Sequence, residues 1–252
     1  MLKKVRFKLA AKVLFALLIA FAVAAFLHYR YEALACQHIK IQIDHQAGNY
    51  FLNEDDLLQL LTNNGEDYLI GQKFKNINTK KLELRVKNHK FVKDCQVYRS
   101  FRGDLVVEVV QIAPIARFVR KQARDFYIDT QGGIIPVSER FTARVLLITA
   151  DKMQEIPDFE IDRYDKKILD LANFIAQDEF WRVQVTQVHI NTQREILLYT
   201  HLGDQEILFG QPEQLEEKFR KLKIVYETIF PQKGWNTYKK VNLKYHRQII
   251  CE

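Results

Sequence analysis

The stretch FVKDCQVYRSFRGDLVVEVVQIAP, residues 91–114, decides the fold of the first half of the chain. It reads as two strands, FVKDCQVYRSF and DLVVEVVQIAP, joined at Arg102, Gly103 and Asp104 by a tight hairpin. Cys95, Val97, Val107 and Val109 are apolar on one side, whereas Lys93, Arg99 and Glu108 are not, the pattern of a sheet covered on one face. The cover precedes the hairpin. LNEDDLLQLL (52–61) offers Asn53 as N-cap and Glu54, Asp55 and Asp56 in the first turn, where negative charge suits the helix dipole. NTKKLELRVKNH (78–89) opens a second helix at Asn78 or Thr79, with Leu82 and Val86 four apart on one face. HIKIQI (38–43) alternates as a short strand before both. The order strand, helix, helix, strand, strand over residues 38–118 predicts two helices on one face of a three-stranded sheet.

Upstream of that domain the chain changes character. VLFALLIAFAVAAFL (13–27) holds no charge, Pro or Gly and shows no polar stripe. With its flanks it spans roughly the ~30 Å hydrocarbon slab, so residues 13–31 predict a short transmembrane helix with Tyr29 and Tyr31 at the interface. Lys3, Lys4, Arg6, Lys8 and Lys12 form a basic tail, residues 1–12, that places the N-terminus in the cytoplasm and the bulk outside, as a single-pass inner-membrane protein. Those five account for most of the formal charge of +7; without them 33 basic residues face 31 acidic ones, which argues against a nucleic-acid surface. ALA at 33–35 also has the form of a signal-peptide cleavage site, the competing reading. Cys36, Cys95 and Cys251 have no metal-like spacing; a Cys95–Cys251 bridge and three unpaired thiols both remain open.

Downstream, residues 119–252 read as a second domain. FYIDTQGGIIPVSE (126–139) is strand, Gly-Gly turn, strand, and RVLLIT (144–149) a further short strand. Residues 165–180 form an amphipathic helix through Ile168, Leu171, Ala172 and Ile175. Three strands follow, WRVQVTQVHIN (181–191), REILLYT (194–200) and DQEILFG (204–210). A last helix over 212–230 carries Leu215, Phe219, Leu222, Tyr226 and Ile229 on one stripe and begins at Pro212. The chain closes with VNLKYHRQII (241–250), in which Val241, Leu243 and Tyr245 alternate with Asn242, Lys244 and His246, a terminal strand that must join a sheet. The fold class is α+β: a membrane helix, a β-α-α-β-β domain, and a mixed, mostly antiparallel sheet covered by two helices.

Catalytic motifs are absent. The sequence has no Gly-rich phosphate loop, HExxH, GxSxG or paired-Cys zinc site, and its histidines, among them His89, His189, His201 and His246, are scattered singly. The acids at 54–56 fit a helix N-terminus, and Trp181 and Trp235 fit packing. No catalytic residue, cofactor, metal or small-molecule substrate is expected, and the chain reads as a binding module. An envelope hydrolase with unrecognised groups is the enzymatic rival.

Particular residues resemble a known family. VVQIAPIARF (109–118) resembles the strand, Glu-Arg-x-Pro-x-Ala and aromatic of the FtsQ/DivIB cell-division proteins: Pro114, Ala116 and Phe118 fit, while Gln111 and Ile112 replace the usual acid and base. YIDTQGGII, with Asp129 and Gly132, and HLGDQEILFG, with Gly203 and Gly210, resemble later family motifs. The ending resembles Val-Asp-Leu-Arg-Tyr, with Asn242 and Lys244 substituted. The resemblance implies that residues 38–118 are a POTRA domain. It also implies a divisome scaffold at the lipid bilayer that recruits partners of FtsB and FtsL type by strand addition at the C-terminal sheet edge. On that basis Val241, Leu243, Lys244, Tyr245 and His246 are the expected partner-binding residues, with Tyr245 as the aromatic anchor. A core role for Val241, Leu243 and Tyr245 is the alternative. A POTRA-containing factor of envelope transport or assembly, with chaperone-like peptide binding, is the alternative function.

Overall fold

The computed structural model describes residues 14–26, 34–45, 48–121, 123–151 and 163–252. The expected basic tail, residues 1–12, lies outside them, as do residues 13 and 27–31 of the expected membrane helix and Ala33 of the cleavage-like signal. Residues 14–26 are helical with every side chain exposed, Phe21 by 74% and Phe15 by 67%. No helix among the described residues is long and apolar enough to cross a membrane. The chain divides into two compact units, with the boundary between Gln111 and Ile112.

In the first unit β1 (His38–Asp44), β2 (Val92–Arg99) and β3 (Asp104–Gln111) form a sheet in the order β1-β3-β2. β1 runs parallel to β3 and β2 antiparallel to it. Being central, β3 buries Leu105, Val106, Val107 and Val109. Helices α1 (Glu54–Leu61) and α2 (Thr79–Lys87) supply Leu57, Leu61, Leu82 and Val86 to the core. Their starts follow from local chemistry. Asn53 and Asp56 form a reciprocal capping box at α1, and Asn78 accepts a hydrogen bond from the Lys81 N–H at α2. The two helices are tied by Arg85, which donates to the Leu60 and Leu61 carbonyls at the C-terminal end of α1 and pairs with Asp67 at 2.7 Å. Buried Gln111 accepts from the Leu52 N–H at 2.9 Å and donates to the Asn49 carbonyl, which ties the end of β3 to the approach to α1.

The second unit is a nine-stranded sheet in the order β12-β11-β10-β9-β8-β7-β4-β5-β6. Its strands are β4 (Ala116–Phe118), β5 (Phe126–Ile128), β6 (Ile134–Pro136), β7 (Leu146–Ala150), β8 (Val185–Ile190), β9 (Ile196–Thr200), β10 (Glu206–Gly210), β11 (Lys240–Asn242) and β12 (Ile250–Cys251). Five neighbouring pairs are antiparallel and three parallel. Residues 116–118, read in the sequence as the end of the first domain, pair instead with β5 and β7. Helices α3 (Arg163–Gln177) and α4 (Leu215–Ile224) supply Ile168, Leu171, Ile175, Phe219 and Leu222 to a core that also holds Ile148, Leu198, Phe209 and Val241. The opposite face carries Leu147, Thr149, Gln187, His189, Leu197, Tyr199 and Leu208, all at least partly exposed.

Two helix boundaries differ from expectation. Trp181–Gln184, read as the start of a strand, forms a helical turn, because Asp178 Oδ1 accepts from the Phe180 and Trp181 N–H groups and turns the chain there. α4 begins at Leu215 rather than at Pro212, after Gln214 takes a left-handed φ of 55°. It continues through a π-helical turn (Val225–Ile229) into a last α-helical turn (Phe230–Lys233). Pro231 has no N–H to give Glu227, so the ladder there widens, with the Phe230 N–H reaching the Val225 carbonyl.

Candidate partner-binding site

The C-terminus is a hairpin, not one strand. β11 ends at Asn242; residues 243–249 form a loop; and β12 returns antiparallel, pairing Val241 with Cys251 and Asn242 with Ile250. Arg247, with a left-handed φ of 58°, makes the reversal that a single extended strand cannot contain. The expected common face of Val241, Leu243 and Tyr245 is therefore corrected. Val241 and Leu243 are fully buried core residues, while Tyr245 leaves the sheet and is 51% exposed. Lys244 and His246 are exposed in the same loop. The rim of β11 is covered by the chain's own β12, and among the described residues the open rim belongs to β12.

The ladder fixes which groups that rim presents. Lys240 and Glu252 exchange both backbone hydrogen bonds, at 2.9 and 3.0 Å. By the alternation of antiparallel pairs, Val241 and Cys251 form the non-hydrogen-bonded pair, so the Cys251 N–H and C=O point away from β11. Ile249 and Cys251 pack toward the core and Ile250 is 37% exposed. At the other edge of the sheet β6 ends in Pro136, which has no N–H to offer a further strand.

The loop is held from beneath by α4. Lys221, only 8% exposed, donates from Nζ to the Leu243 carbonyl at 3.0 Å and the Tyr245 carbonyl at 2.8 Å. One turn earlier, Glu217 Oε1 lies 3.2 Å from His246 Nδ1. Lys244 Nζ pairs with Glu195 at 2.8 Å, and its stem crosses Gly210. Gly210 has a φ of +74°, and a Cβ there would stand 2.8 Å from Lys244 Cγ, so the position requires glycine. Lys218 lies 4.7 Å over the Phe209 ring and donates to the Gln211 carbonyl; burial, then the neighbouring Lys221 charge, lowers its pKa. Lys221, Glu217 and the β12 rim were not anticipated from the sequence. One signal was there, since alternation fails at Arg247 and Gln248, both polar, before Ile249 and Ile250, both apolar.

Elsewhere the structure gives the other expected residues structural surroundings. Trp235 lies against Tyr226 and Phe230 with ring centroids 5.7 and 5.3 Å away. His189 sits between Thr149 Oγ1 at 2.9 Å and Asp151 at 3.3 Å on the open sheet face. Cys36, Cys95 and Cys251 are all free thiols. Among the described residues no group of three or more His, Cys, Asp or Glu is arranged to hold a metal.

Comparison with known families agrees with this division into two units. Residues 34–110 match the POTRA-like domain, and residues 113–252 match the family described as FtsQ/DivIB, C-terminal related. No curated protein matches the chain. A POTRA-like domain followed by an FtsQ/DivIB-related domain that spans more than half the sequence shows that this chain belongs to the FtsQ/DivIB family.

Proposed function

We propose that this chain is a membrane-anchored cell-division scaffold that recruits partners of FtsB and FtsL type by accepting a strand at the free rim of β12. Lys244, Tyr245 and His246 in the adjoining loop then read the partner's side chains. The observation that carries this reading is the uncovered β12 edge beside an exposed aromatic in a loop fixed by Lys221. An added strand would satisfy the outward Cys251 N–H and C=O, and the held loop lowers the ordering cost of binding. Val241 and Leu243 contribute from the core by seating β11. Anchoring rests on residues 13–31: the apolar side chains of 14–26 stand exposed, and a bilayer is the solvent they suit. The proposed topology keeps residues 1–12 in the cytoplasm and both domains outside. The chain's work on this reading is binding, not turnover.

The test is Cys251→Pro in the full chain, with partner capture measured in membranes. Proline removes the rim N–H and leaves the Lys240–Glu252 bonds in place. Capture should fall while amide protection of Lys240 and Glu252 persists. Full capture by a variant with an intact hairpin would remove the β12 rim from the interface.

A further inference from the structure

Three segments meet at one end of the first unit. The Gln37 N–H donates to the Gly103 carbonyl at 2.8 Å, and Ala35 pairs with Lys73. The Cys36 N–H donates to the Gln72 carbonyl, and the Phe74 N–H to the Leu34 carbonyl. Segments 34–37, 70–75 and 99–104 are thereby bound together. They carry Lys73, Lys75, Arg99 and Arg102, and Asp104 is their one acid. Asp104 is 5% exposed and held by Lys40 at 2.5 Å, so it subtracts little from this end. Glu66 and Asp67, just before the second segment, are engaged by Asn63 and Arg85, and Glu32, two residues before Leu34, is offset in formal charge by Arg30. At the hairpin tip Phe101 is 94% exposed, and Ile70 is 64% exposed.

This end is also where the chain arrives from the anchor. Leu34 follows Tyr31, the end of the proposed membrane helix, by three chain steps, a span of at most ~11 Å. That is close to the ~10 Å screening length at 0.1 M salt, so residues 34–37, to which the two cation-bearing segments are bound, begin about one screening length from the end of the proposed membrane helix. An aromatic beside cations is the side-chain set of a membrane interface.

We propose that this end of the POTRA-like domain rests on the bilayer, with Phe101 at headgroup depth and Lys73, Lys75 and Arg102 on anionic phospholipid headgroups. The inference rests on the membrane-anchor reading above and adds a second contact that sets how the domain stands on its membrane.

The experiment uses the full chain in vesicles of phosphatidylcholine, with or without phosphatidylglycerol, both containing brominated lipid. Phe101→Trp adds one fluorophore to Trp181 and Trp235, and the parent chain supplies the background. Extra quenching is expected in the phosphatidylglycerol vesicles, weakened by high salt and lost on adding Lys73→Glu and Arg102→Glu. Hydrogen exchange of residues 99–103 provides a second reading, with protection expected only in the anionic vesicles. A chain that floats with the vesicles but shows neither signal overturns the contact while leaving the anchor standing. Equal quenching without phosphatidylglycerol overturns the assignment to anionic headgroups. A chain that fails to float overturns the anchor and the contact with it.

Discussion

Lys221 Nζ lies 2.8 Å from the carbonyl oxygen of Tyr245, a residue 24 positions further along the chain. The same ammonium takes the Leu243 carbonyl, so one buried charge closes two backbone acceptors that the loop would otherwise leave unmet. An exposed aromatic can then hold a fixed position above the sheet although no strand supports it. Lys221→Met keeps the stem and removes the donor. It should cost ~1–3 kcal/mol of unfolding free energy, the range for orphaned buried acceptors. Urea unfolding gives that number, and faster amide exchange across 243–249 with unchanged protection in β9 and β10 should accompany it. Uniformly faster exchange would mean that Lys221 supports the whole sheet instead of the loop.

Tyr245→Ala separates binding from stability. The ring is half exposed and its backbone carbonyl, not its side chain, meets Lys221, so the variant should unfold within ~0.5 kcal/mol of the parent. Partner capture should nevertheless weaken, as expected when a rigid aromatic is removed from the centre of an interface. Val241→Ala and Leu243→Ala should do the reverse in proportion: as fully buried core residues, each should destabilise by ~2–5 kcal/mol or somewhat less for the smaller valine. Circular dichroism melts beside pull-downs distinguish the two classes. Unchanged capture by Tyr245→Ala would take the ring out of the site.

Much of this architecture was legible because it depends on local chemistry. Asn53, Asn78 and the Arg102–Gly103 hairpin act within a few residues of themselves, and the caps and turn stand where the sequence puts them. The alternation in 92–111 was readable because one face of that sheet is covered. The C-terminal hairpin was not readable in the same way. Val241, Leu243 and Tyr245 follow a strand's period, yet what ends β11 is tertiary: Lys221 draws two carbonyls toward α4, and Cys251 takes the place beside Val241. Pro212 illustrates the opposite error, a local signal for a helix start that yields to the left-handed turn at Gln214.

Asp104 predicts an acid-sensitive first domain. The hydrogen bond from the Lys40 ammonium, aided by His38 at 3.4 Å, holds its carboxyl below the ordinary value of 3.8. The folded state therefore binds fewer protons than the unfolded one in the window below that value. The stabilisation is present in full above it and is lost as pH falls through the lower folded value. Asp104→Asn should lower the melting temperature at neutral pH and flatten its decline between about pH 4 and pH 2. Parallel melting curves for parent and variant across that window would assign the acid limb to other carboxylates, of which Asp94, held low by Lys87, is the next to examine.

The three thiols report on the β12 rim. Cys36 and Cys95 are each 1% exposed, and burial pushes Cys95 up to about 11 and Cys36 above its usual range. Alkylation proceeds through the thiolate, so at pH 8 both should stay unmodified until the domain unfolds. Cys251 is also raised by burial, but its place on a two-residue edge strand lets it open by fraying, and it should be the first thiol that iodoacetamide labels. A partner strand seated on β12 would suppress that fraying. Peptide mass spectrometry should therefore show Cys251 labelling slowed by bound partner, with Cys36 and Cys95 unmodified throughout. Labelling of Cys251 at the same rate in free and saturated protein would place the partner elsewhere on the sheet.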